Sequence, residues 1–485
     1  MTPGGLPKRS GAFLVVMSLL AAFAIVLCWR GVSWAFQMPS MLILDEVGNL
    51  TRFLGTTWWN AVQPIPVVVY NQRPAGFALE RLLFDLFGFD YTRQLICFLA
   101  LHFANCIMAF ALFRRLGLHV LLCLAAVGVY GSLNTTVQTA TYIGAIFDVL
   151  CLFFILGSML TLLWHRRGAT ILSAFLFFMS LLSKEFAVVV PIPLALLVLS
   201  DLPESSWRKS FRAIVRRLWM HFIIGSAFVL RYLYLTPAMI RTIDPHDPYR
   251  MDLRLSTVLR SFANYTAFMF NAENIRRAKQ YILAGLILLG ILIGGIVLRR
   301  LAVLFGLVSY VLMLLPVTLI PGIHSPFYLY APQLFLIFAA FLVMDGILRA
   351  LYRSDGQRWI ASAVIATVCL AVATPFERGR HFLDNANFSR MLRSTAARSA
   401  KDVFAQFGAV PAGAHVYVNH GDVTPWLFQA GPCDFLKVVN RQTTITCVMD
   451  GSPAVLQNLY TQDKGPKFYV DYHPDGSLTG FLQSR

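Results

Sequence analysis

The most constraining feature of the sequence is a series of long apolar runs, most of them about as long as a helix that crosses a bilayer. Hydrophobic residues make up 57% of the 485 residues and charged residues only 13%, too few to cover the surface of a soluble protein. The same numbers exclude intrinsic disorder, a collagen and a small disulfide scaffold. We therefore expect an α-helical polytopic membrane protein embedded in a lipid bilayer. Its eleven predicted spans are 11–29, 93–113, 117–133, 143–164, 170–182, 186–200, 218–236, 281–298, 301–320, 331–348 and 359–375.

The basic residues predict the orientation of these spans. The net charge is +17, and most Lys and Arg residues fall in short clusters between apolar runs, as the positive-inside rule requires. This distribution is unlike that of a nucleic-acid-binding protein, and no nucleic acid is expected as a partner. A cytoplasmic N-terminus places all the clusters on one side, and eleven spans then place the C-terminus on the outer side of the membrane. The clusters are Lys8–Arg9, Arg114–Arg115, Arg166–Arg167, Arg208–Arg217, Arg299–Arg300 and Arg349–Arg358.

The polar segments predict two domains. Residues 1–375 form a transmembrane module with two periplasmic loops: 30–92, which contains surface helices such as Ala75–Phe87, and 236–280. Residues 376–485 form a small α+β periplasmic domain that begins with a helix over Leu383–Phe407. Short runs bounded by Gly, Pro, Asn and Asp predict its strands. These runs are His415–Val418, Phe435–Val439, Thr443–Val448 and Lys467–Tyr472.

Polar side chains at or near membrane depth are the candidates for function, because burying a charge in lipid is costly. In the predicted orientation the candidates all lie on the outer side. Carboxylates mixed with cations suit a reaction on a lipid phosphate, since cations hold the phosphate and a carboxylate accepts a proton. The candidates are Asp45, Glu46, Arg73, Asp148, Lys184, Glu185, Arg231, His324, Tyr328 and Tyr330.

Each candidate also has a structural explanation. Asp45 and Glu46 are typical of a helix start, where the helix dipole favours acids. Lys184 and Glu185 are compatible with a structural ion pair in a turn, and Asp148 with a helix cap. Arg73 is compatible with an interfacial anchor, and Arg231 with a side chain that snorkels to the outer surface. His324 is compatible with an ordinary loop histidine, and Tyr328 and Tyr330 with interfacial aromatics.

The eight cysteines divide into two groups. Six lie in apolar runs, where a free cysteine behaves as a small hydrophobic residue. The chain has no C-x-x-C pair and no H-E-x-x-H motif, so no zinc site is expected. Cys433 and Cys447 stand apart in the polar tail. We expect them to form a disulfide, because the predicted orientation puts the tail in an oxidising compartment. The alternative is two buried thiols.

Five stretches resemble motifs of one family. The chain is similar to GT-C glycosyltransferases of the protein-O-mannosyltransferase-like superfamily, in particular bacterial members and the membrane half of the TPR-linked mannosyltransferases. The stretch that contains Ser183-Lys184-Glu185 is the most specific to the family. Two positions depart from the family pattern: the arginine expected before Asp148 is absent, since Gly144-Ala145-Ile146-Phe147 precede it, and Phe186 stands where a serine is expected. The stretches, in the family's order, are Asp45-Glu46, YNQRPAGFAL (Tyr70–Leu79), YIGAIFDVL (Tyr142–Leu150), LLSKEFAVVVPIPL (Leu181–Leu194) and HSPFYLYAP (His324–Pro332).

The resemblance implies a reaction. The donor is a sugar on a polyprenyl phosphate, and an inverting single displacement transfers that sugar to an acceptor hydroxyl on the periplasmic side of a bacterial inner membrane. A carboxylate after the first span is the general base, with Asp45 favoured and Glu46 next. Cations hold the lipid phosphate, and neither a metal nor another cofactor is required. A glycan such as lipopolysaccharide, a lipid or a protein remain open as acceptors.

Three other functions are compatible with parts of the sequence. A polymerase or ligase of lipid-linked glycan would share the outward-facing site and the polyprenyl carrier. A flippase for lipid-linked sugars should have internal repeats and broken spans in matching halves, neither of which the sequence displays. A non-enzymatic scaffold would bind its partners through the tail and would not depend on Asp45.

Overall fold

The computed structural model of the chain is built mainly of α-helices, as the apolar runs predict. The structure describes residues 11–484 except 44, 54–57, 59–72, 165–167, 203–206, 236–250, 270–276, 322–324, 377–379, 403–409, 421–433, 442–443, 451, 474 and 476.

Sixteen helices precede the first strand in the described part of the chain. In chain order they are α1 (Gly11–Ser33), α2 (Asp45–Gly48), α3 (Pro74–Phe87), α4 (Tyr91–Arg115), α5 (Val120–Ser132), α6 (Asn134–Thr141), α7 (Ile146–Leu162), α8 (Ala169–Leu181), α9 (Pro191–Asp201), α10 (Trp207–Leu235), α11 (Leu255–Met269), α12 (Arg277–Val297), α13 (Leu301–Thr318), α14 (Tyr330–Leu351), α15 (Asp355–Phe376) and α16 (Arg380–Asp402). Short 3₁₀ helices lie at Trp34–Gln37, Asn49–Phe53, Ile143–Ala145, Glu185–Val189 and Pro326–Leu329.

All eleven predicted spans coincide with helices, and seven of the helices in the described ranges are long and apolar enough to cross a membrane. The number is eight if α5 and α6 form one bent span. The three other predicted spans correspond to shorter apolar helices within α8, α9 and α12. The chain is therefore a multi-pass membrane protein, as its hydropathy predicts.

By its internal packing the chain divides into two compact units. The first contains Met1–Ser33 and Leu99–Phe382, and the second contains Trp34–Phe98 and Leu383–Arg485. The predicted domain boundary after residue 375 stays a prediction. In this division residues 34–98 share a unit with the C-terminal residues.

Helices α5 and α6 of the first unit meet at a bend of 61°, where the chain changes from an apolar to a polar helix. Helix α6 is polar, and its side chains are buried. Gln333 of α14 stabilises it, because Thr135 Oγ1 donates to the Gln333 side-chain oxygen at 2.6 Å and the Gln333 amide donates to the Thr136 hydroxyl. Polar groups buried at membrane depth need such internal partners, since lipid supplies none.

Close helix packing in the first unit depends on small residues, as is common in membrane proteins. Gly306 of α13 faces α14, where an added Cβ would lie 2.8 Å from the Phe335 carbonyl oxygen and 2.9 Å from Ala339 Cβ. A larger residue at this position would force the two helices apart. The contact holds α14 in register with α13.

Three of the predicted basic clusters meet at one end of the first unit. Asp345 Oδ2 lies 3.0 Å from Arg300 and 2.8 Å from Arg349, and the Asp345 side chain is completely buried. Arg349 also donates to the Gly117 carbonyl at 2.6 Å, and Arg115 donates to the Leu163 carbonyl at 3.3 Å. This proximity agrees with the one-sided distribution of charge; the direction of this end across the membrane stays a prediction.

A small α/β fold ends the second unit. Its elements are β1 (His415–Asn419), α17 (Asp434–Asn440), β2 (Thr446–Asp450), α18 (Pro453–Gln462), β3 (Lys467–Tyr472) and β4 (Leu478–Ser484). The strand order is β2-β1-β3-β4, in which β1 is parallel to β2 and β3, and β4 is antiparallel to β3. Tyr417 of β1 packs with Leu456 and Tyr460 of α18, which cover one face of the sheet.

The predicted combination of helices and strands is confirmed, with one element assigned to the wrong class. Phe435–Val439 lies in helix α17 and is not a strand. A short apolar run does not distinguish a buried strand from a buried helix. The predicted strand at Thr443–Val448 begins later, at Thr446, and the expectation missed α18 and β4.

Candidate functional site

Three of the family-like motifs meet in the first unit. Asp148 lies in the first turn of α7, and Lys184 lies immediately before the 3₁₀ helix Glu185–Val189. Lys184 Nζ donates to Asp148 Oδ2 at 2.5 Å, and both side chains are nearly inaccessible to solvent. Lys184 Nζ also lies 4.9 Å from the centroid of the Tyr328 ring, so the third motif contributes an aromatic face to the ammonium.

A second contact joins the same motifs beside the ion pair. The rings of Tyr142 and Phe327 are stacked, with their centroids 5.0 Å apart and their planes inclined by only 8°. Tyr142 precedes α7 and Phe327 lies next to Tyr328 in the 3₁₀ helix Pro326–Leu329. The stacking therefore fixes the segment that carries Tyr328 against the segment that leads to Asp148.

Tyr330 is placed in a different environment from Tyr328. It is fully buried, and a hydrogen bond of 2.8 Å joins its hydroxyl to Nδ1 of His102. Asn105 Nδ2 donates to the same hydroxyl at 3.3 Å, and Tyr130 donates to the Tyr330 carbonyl at 3.0 Å. These contacts support a structural role for Tyr330. The sequence analysis missed His102 and Asn105, although two polar residues three apart within an apolar span were a signal for them.

The other candidates of the first unit are more exposed. Glu185 begins its 3₁₀ helix and is half-buried. Arg231 is half-buried in α10, where its guanidinium lies 5.9 Å from the Phe228 ring centroid. His324 lies outside the described residues. A substrate-binding role for each of these three stays a prediction.

In the second unit a buried ion pair involves Glu46. Arg393 of α16 donates to both carboxylate oxygens of Glu46 at 2.9 Å, and neither side chain is more than 2% exposed. Arg393 also donates to the Met41 carbonyl and lies 3.5 Å from the Tyr91 ring centroid. The Ile43 backbone N–H donates to Glu46 Oε2 at 2.9 Å. One guanidinium therefore holds the whole turn that leads into α2.

The neighbouring turn is held by a second buried carboxylate. Asn49 Nδ2 donates to Glu80 Oε1 at 3.1 Å, and both residues are buried. This contact ties the end of α2 to α3. Asp45 is the first residue of α2, and its side chain lies outside the described part of the chain. Arg73 immediately precedes α3 and is half-buried, with Pro74 as the first helical residue.

Arg393 is the main residue that the sequence analysis missed. It lies in a polar, amphipathic stretch of the tail that carries several basic residues, so nothing local distinguishes it from its neighbours. Its partner Glu46 is 347 positions away in the chain. Hydropathy and charge spacing report on neighbours within a helix or strand and contain no information about such a pairing.

The described residues contain no candidate metal site, and one of their cysteines is in a disulfide. Among the described residues no group of three or more His, Cys, Asp or Glu side chains is placed to hold a metal ion. Cys447 is disulfide-bonded, whereas the six cysteines of the apolar runs are free. Cys433 lies outside the described residues, so its pairing with Cys447 stays a prediction.

Comparison with known proteins supports the architecture. No known protein family and no curated protein matches the sequence. Among solved structures the chain is similar to ArnT from Cupriavidus metallidurans in the apo state, a GT-C glycosyltransferase, with a TM-score of 0.50 and 12% identity. The match covers 96% of this chain and 94% of ArnT. The chain therefore has the fold of the GT-C membrane glycosyltransferases.

Proposed function

We propose that the chain is an integral-membrane glycosyltransferase. It moves a sugar from a polyprenyl-phosphate donor to an acceptor hydroxyl, with inversion at the anomeric carbon. The observation that carries the proposal is the GT-C fold over 96% of the chain. The order of the family-like motifs supports it, as does the contact between Asp148, Lys184 and Tyr328, which belong to three of those motifs.

Asp45 is the proposed general base. It would accept the proton of the acceptor hydroxyl as the oxygen attacks the anomeric carbon, and the bond from that carbon to the phosphate oxygen would break in the same step. Both carboxylate oxygens of the neighbouring Glu46 already bind Arg393. This arrangement favours Asp45 as the base and Glu46 as the residue that fixes the turn carrying it.

Lys184 is the proposed ligand of the lipid phosphate, and Arg73 of the second unit is proposed as a further substrate-binding cation. The leaving phosphate gains negative charge in the transition state, and preorganised cations stabilise it. The Lys184 ammonium has three N–H donors, one of which is directed to Asp148. Asp148 would thus orient the ammonium, while Glu185, Arg231, His324 and Tyr328 are proposed to contact the donor or the acceptor.

The proposed location follows from the charge distribution. The basic loops would face the cytoplasm of a bacterium, and the candidate residues and the C-terminal α/β fold would face the periplasm. The disulfide at Cys447 supports this orientation, since disulfides persist in oxidising compartments. The acceptor would be a glycan, a lipid or a protein that is exposed there.

A polymerase or ligase of lipid-linked glycan remains the second candidate, because it would use the same carrier on the same side. A flippase is less well supported. Transporters of that kind have broken helices in corresponding positions of two halves. The described ranges contain one strongly bent pair, α5 and α6.

Glycan profiling of cells with and without the gene tests the proposal. The expected result is one sugar substituent that disappears with the gene and returns with the wild-type gene but not with Asp45→Asn. A shortened polymer in place of a lost substituent would indicate a polymerase. Full restoration by Asp45→Asn would contradict the proposed base, and an unchanged glycan profile would contradict the transferase.

A further inference from the structure

The first turns of α10 are amphipathic and exposed, although they continue directly into a membrane span. The helix has 29 residues and is therefore about 43 Å long at 1.5 Å per residue. The hydrocarbon core of a bilayer is about 30 Å thick, and spanning helices tilt by about 20° on average. A helix of this length extends beyond the core by roughly 10 Å. The part outside the core is the N-terminal end, because Leu218–Leu235 contains a single charged residue, Arg231, and the other charged residues of α10 precede it.

An apolar stripe runs along this protruding part. Trp207, Phe211, Val215 and Trp219 follow one another at intervals of four residues, which places them along one side of a helix. All four are exposed, and Trp207 has the largest exposed fraction, 74%. Tryptophan and phenylalanine on an exposed helix side are typical of segments that lie at the depth of lipid headgroups.

Four exposed cations lie beside the stripe. Arg208, Lys209, Arg212 and Arg216 make no ion pair or hydrogen bond with other described residues, whereas Arg217 is paired with Asp201 at 3.1 Å. The first turn of α10 contains no acidic residue. Arg208 and Lys209, in the first turn, also face the positive pole of the helix dipole, which disfavours them within the isolated fold. An external anionic surface would offset both effects.

We propose that the first turns of α10, Trp207–Arg217, form a binding surface for anionic phospholipid headgroups. The aromatic stripe inserts at the boundary between headgroups and acyl chains, and the four cations bind lipid phosphates. Charge complementarity favours a lipid over a soluble partner, because the same turns continue directly into a helix that is long and apolar enough to span a membrane. This inference does not depend on the identity of the transferred sugar.

The experiment uses the full-length protein in a neutral detergent. Its thermal midpoint is measured while phosphatidylglycerol or, separately, phosphatidylcholine is added. We expect phosphatidylglycerol to raise the midpoint at lower concentration, and the difference to shrink at high salt, since salt screens exposed charges. A variant replaces the four cations by glutamine. The phosphatidylglycerol concentration that gives half of the rise in thermal midpoint should then increase ~100-fold or more, since each cation near an anionic surface contributes a similar share of the binding free energy. The substitutions are Arg208→Gln, Lys209→Gln, Arg212→Gln and Arg216→Gln.

Two further variants make the result specific. A charge-retaining variant, Arg208→Lys with Arg212→Lys and Arg216→Lys, should keep the preference for phosphatidylglycerol and so separates binding from folding. A control removes the same number of exposed cations elsewhere and should also keep the preference. Its substitutions are Arg254→Gln, Arg260→Gln, Arg390→Gln and Arg398→Gln.

Three results would overturn the inference. In the first, phosphatidylglycerol and phosphatidylcholine raise the thermal midpoint of the wild-type protein at the same concentration. The basic turns would then serve only to set topology or to bind another acidic partner. In the second, the glutamine variant retains the preference. In the third, the control loses the preference to the same extent, which would indicate a response to total charge.

Discussion

Arg393 binds both oxygens of the Glu46 carboxylate at 2.9 Å, and both side chains are almost completely shielded from solvent. A buried ion pair adds little stability relative to a well-packed apolar pair, because both charges lose their hydration. Losing one partner is costly, since the other charge is then buried alone. The pair therefore makes the turn before α2 depend on a residue near the other end of the chain.

Arg393→Ala should destabilise the protein by about 3–5 kcal/mol, the usual cost of breaking a buried pair from one side. The change is measured by denaturant unfolding of the purified protein. Arg398→Ala on the same helix is the matched control. Arg398 pairs with Asp475 at the surface, where both side chains are about half exposed, and its loss should have little effect.

A double variant tests the pairing itself. Arg393→Met with Glu46→Met replaces both charges by apolar side chains and should be more stable than Arg393→Ala alone. If the double variant were as unstable as the sum of its two single variants, Arg393 and Glu46 would act independently. The buried pair would then not be the reason for the loss.

Asp45→Asn and Glu46→Gln should separate chemistry from structure. Asp45→Asn should leave the thermal midpoint near the wild-type value and lower the transfer rate ~10²–10⁴-fold, because it removes a proton acceptor. Glu46→Gln should lower the midpoint as well, because it leaves the Arg393 guanidinium without its carboxylate. Transfer assays are run beside thermal unfolding of the same preparations. A rate near wild type in Asp45→Asn, with a stable but inactive Glu46→Gln, would move the role of base to Glu46.

Lys184→Ala should weaken binding of the polyprenyl-phosphate donor, measured with the protein in detergent. Lys184→Arg should not restore binding fully, because a planar guanidinium does not reproduce a compact ammonium 2.5 Å from Asp148. Asp148→Asn should weaken donor binding less than Lys184→Ala, since it leaves the cation in place. Lys464→Ala, at an exposed site of the C-terminal fold, controls for the loss of a positive charge. Unchanged donor binding in Lys184→Ala would exclude a role in phosphate binding.

Cys447 should be linked to Cys433. The intervening loop is short, and a disulfide across it contributes ~3 kcal/mol in the chain-entropy view. Mass spectrometry of the freshly purified protein under non-reducing conditions should detect the linked peptides and six alkylatable cysteines. Alkylation of Cys433 before reduction would contradict the pairing. A cytoplasmic tail in a reporter fusion would contradict the predicted orientation.

Asp463 should make the C-terminal fold sensitive to acid. The backbone N–H of Gly465 and the side chains of His415 and Tyr417 hold its pKa at about 2, below the ordinary value of 3.8. The stabilisation is therefore complete above the ordinary value and is lost as the pH falls towards about 2. Asp463→Asn should lower the thermal midpoint at neutral pH, and the difference from wild type should narrow in this acidic range. A difference that stays constant with pH would contradict this assignment.

The helices were predictable because each apolar run is a local property of the sequence. The runs 143–164 and 301–320, for example, became α7 and α13. The bend after α5 was not predictable from hydropathy. Helix α6 is polar, and Gln333 of α14 supplies hydrogen-bond partners to two of its threonines. That partner is about two hundred positions away.

The candidate site was predictable in part for the same reason. The family-like motifs identify Asp148, Lys184 and Tyr328 as candidates, and the structure brings these three together. Nothing in the sequence indicates that the Lys184 ammonium is directed to Asp148. The resemblance favours Asp45 over Glu46 as the base, but nothing in the sequence indicates that Arg393 binds Glu46, because that pairing is a tertiary contact.

The second unit is assembled from two distant pieces of chain, and this has a consequence for biosynthesis. Trp34–Phe98 leaves the ribosome before Leu99–Phe382, but Arg393 is made only after that stretch. At ~5–20 residues per second that intervening stretch takes roughly 15–60 s to translate. Throughout this time Glu46 lacks Arg393, and the turn that leads into α2 is without the guanidinium that holds it. A chain that stops before α16 would lack the guanidinium that holds the turn leading into α2.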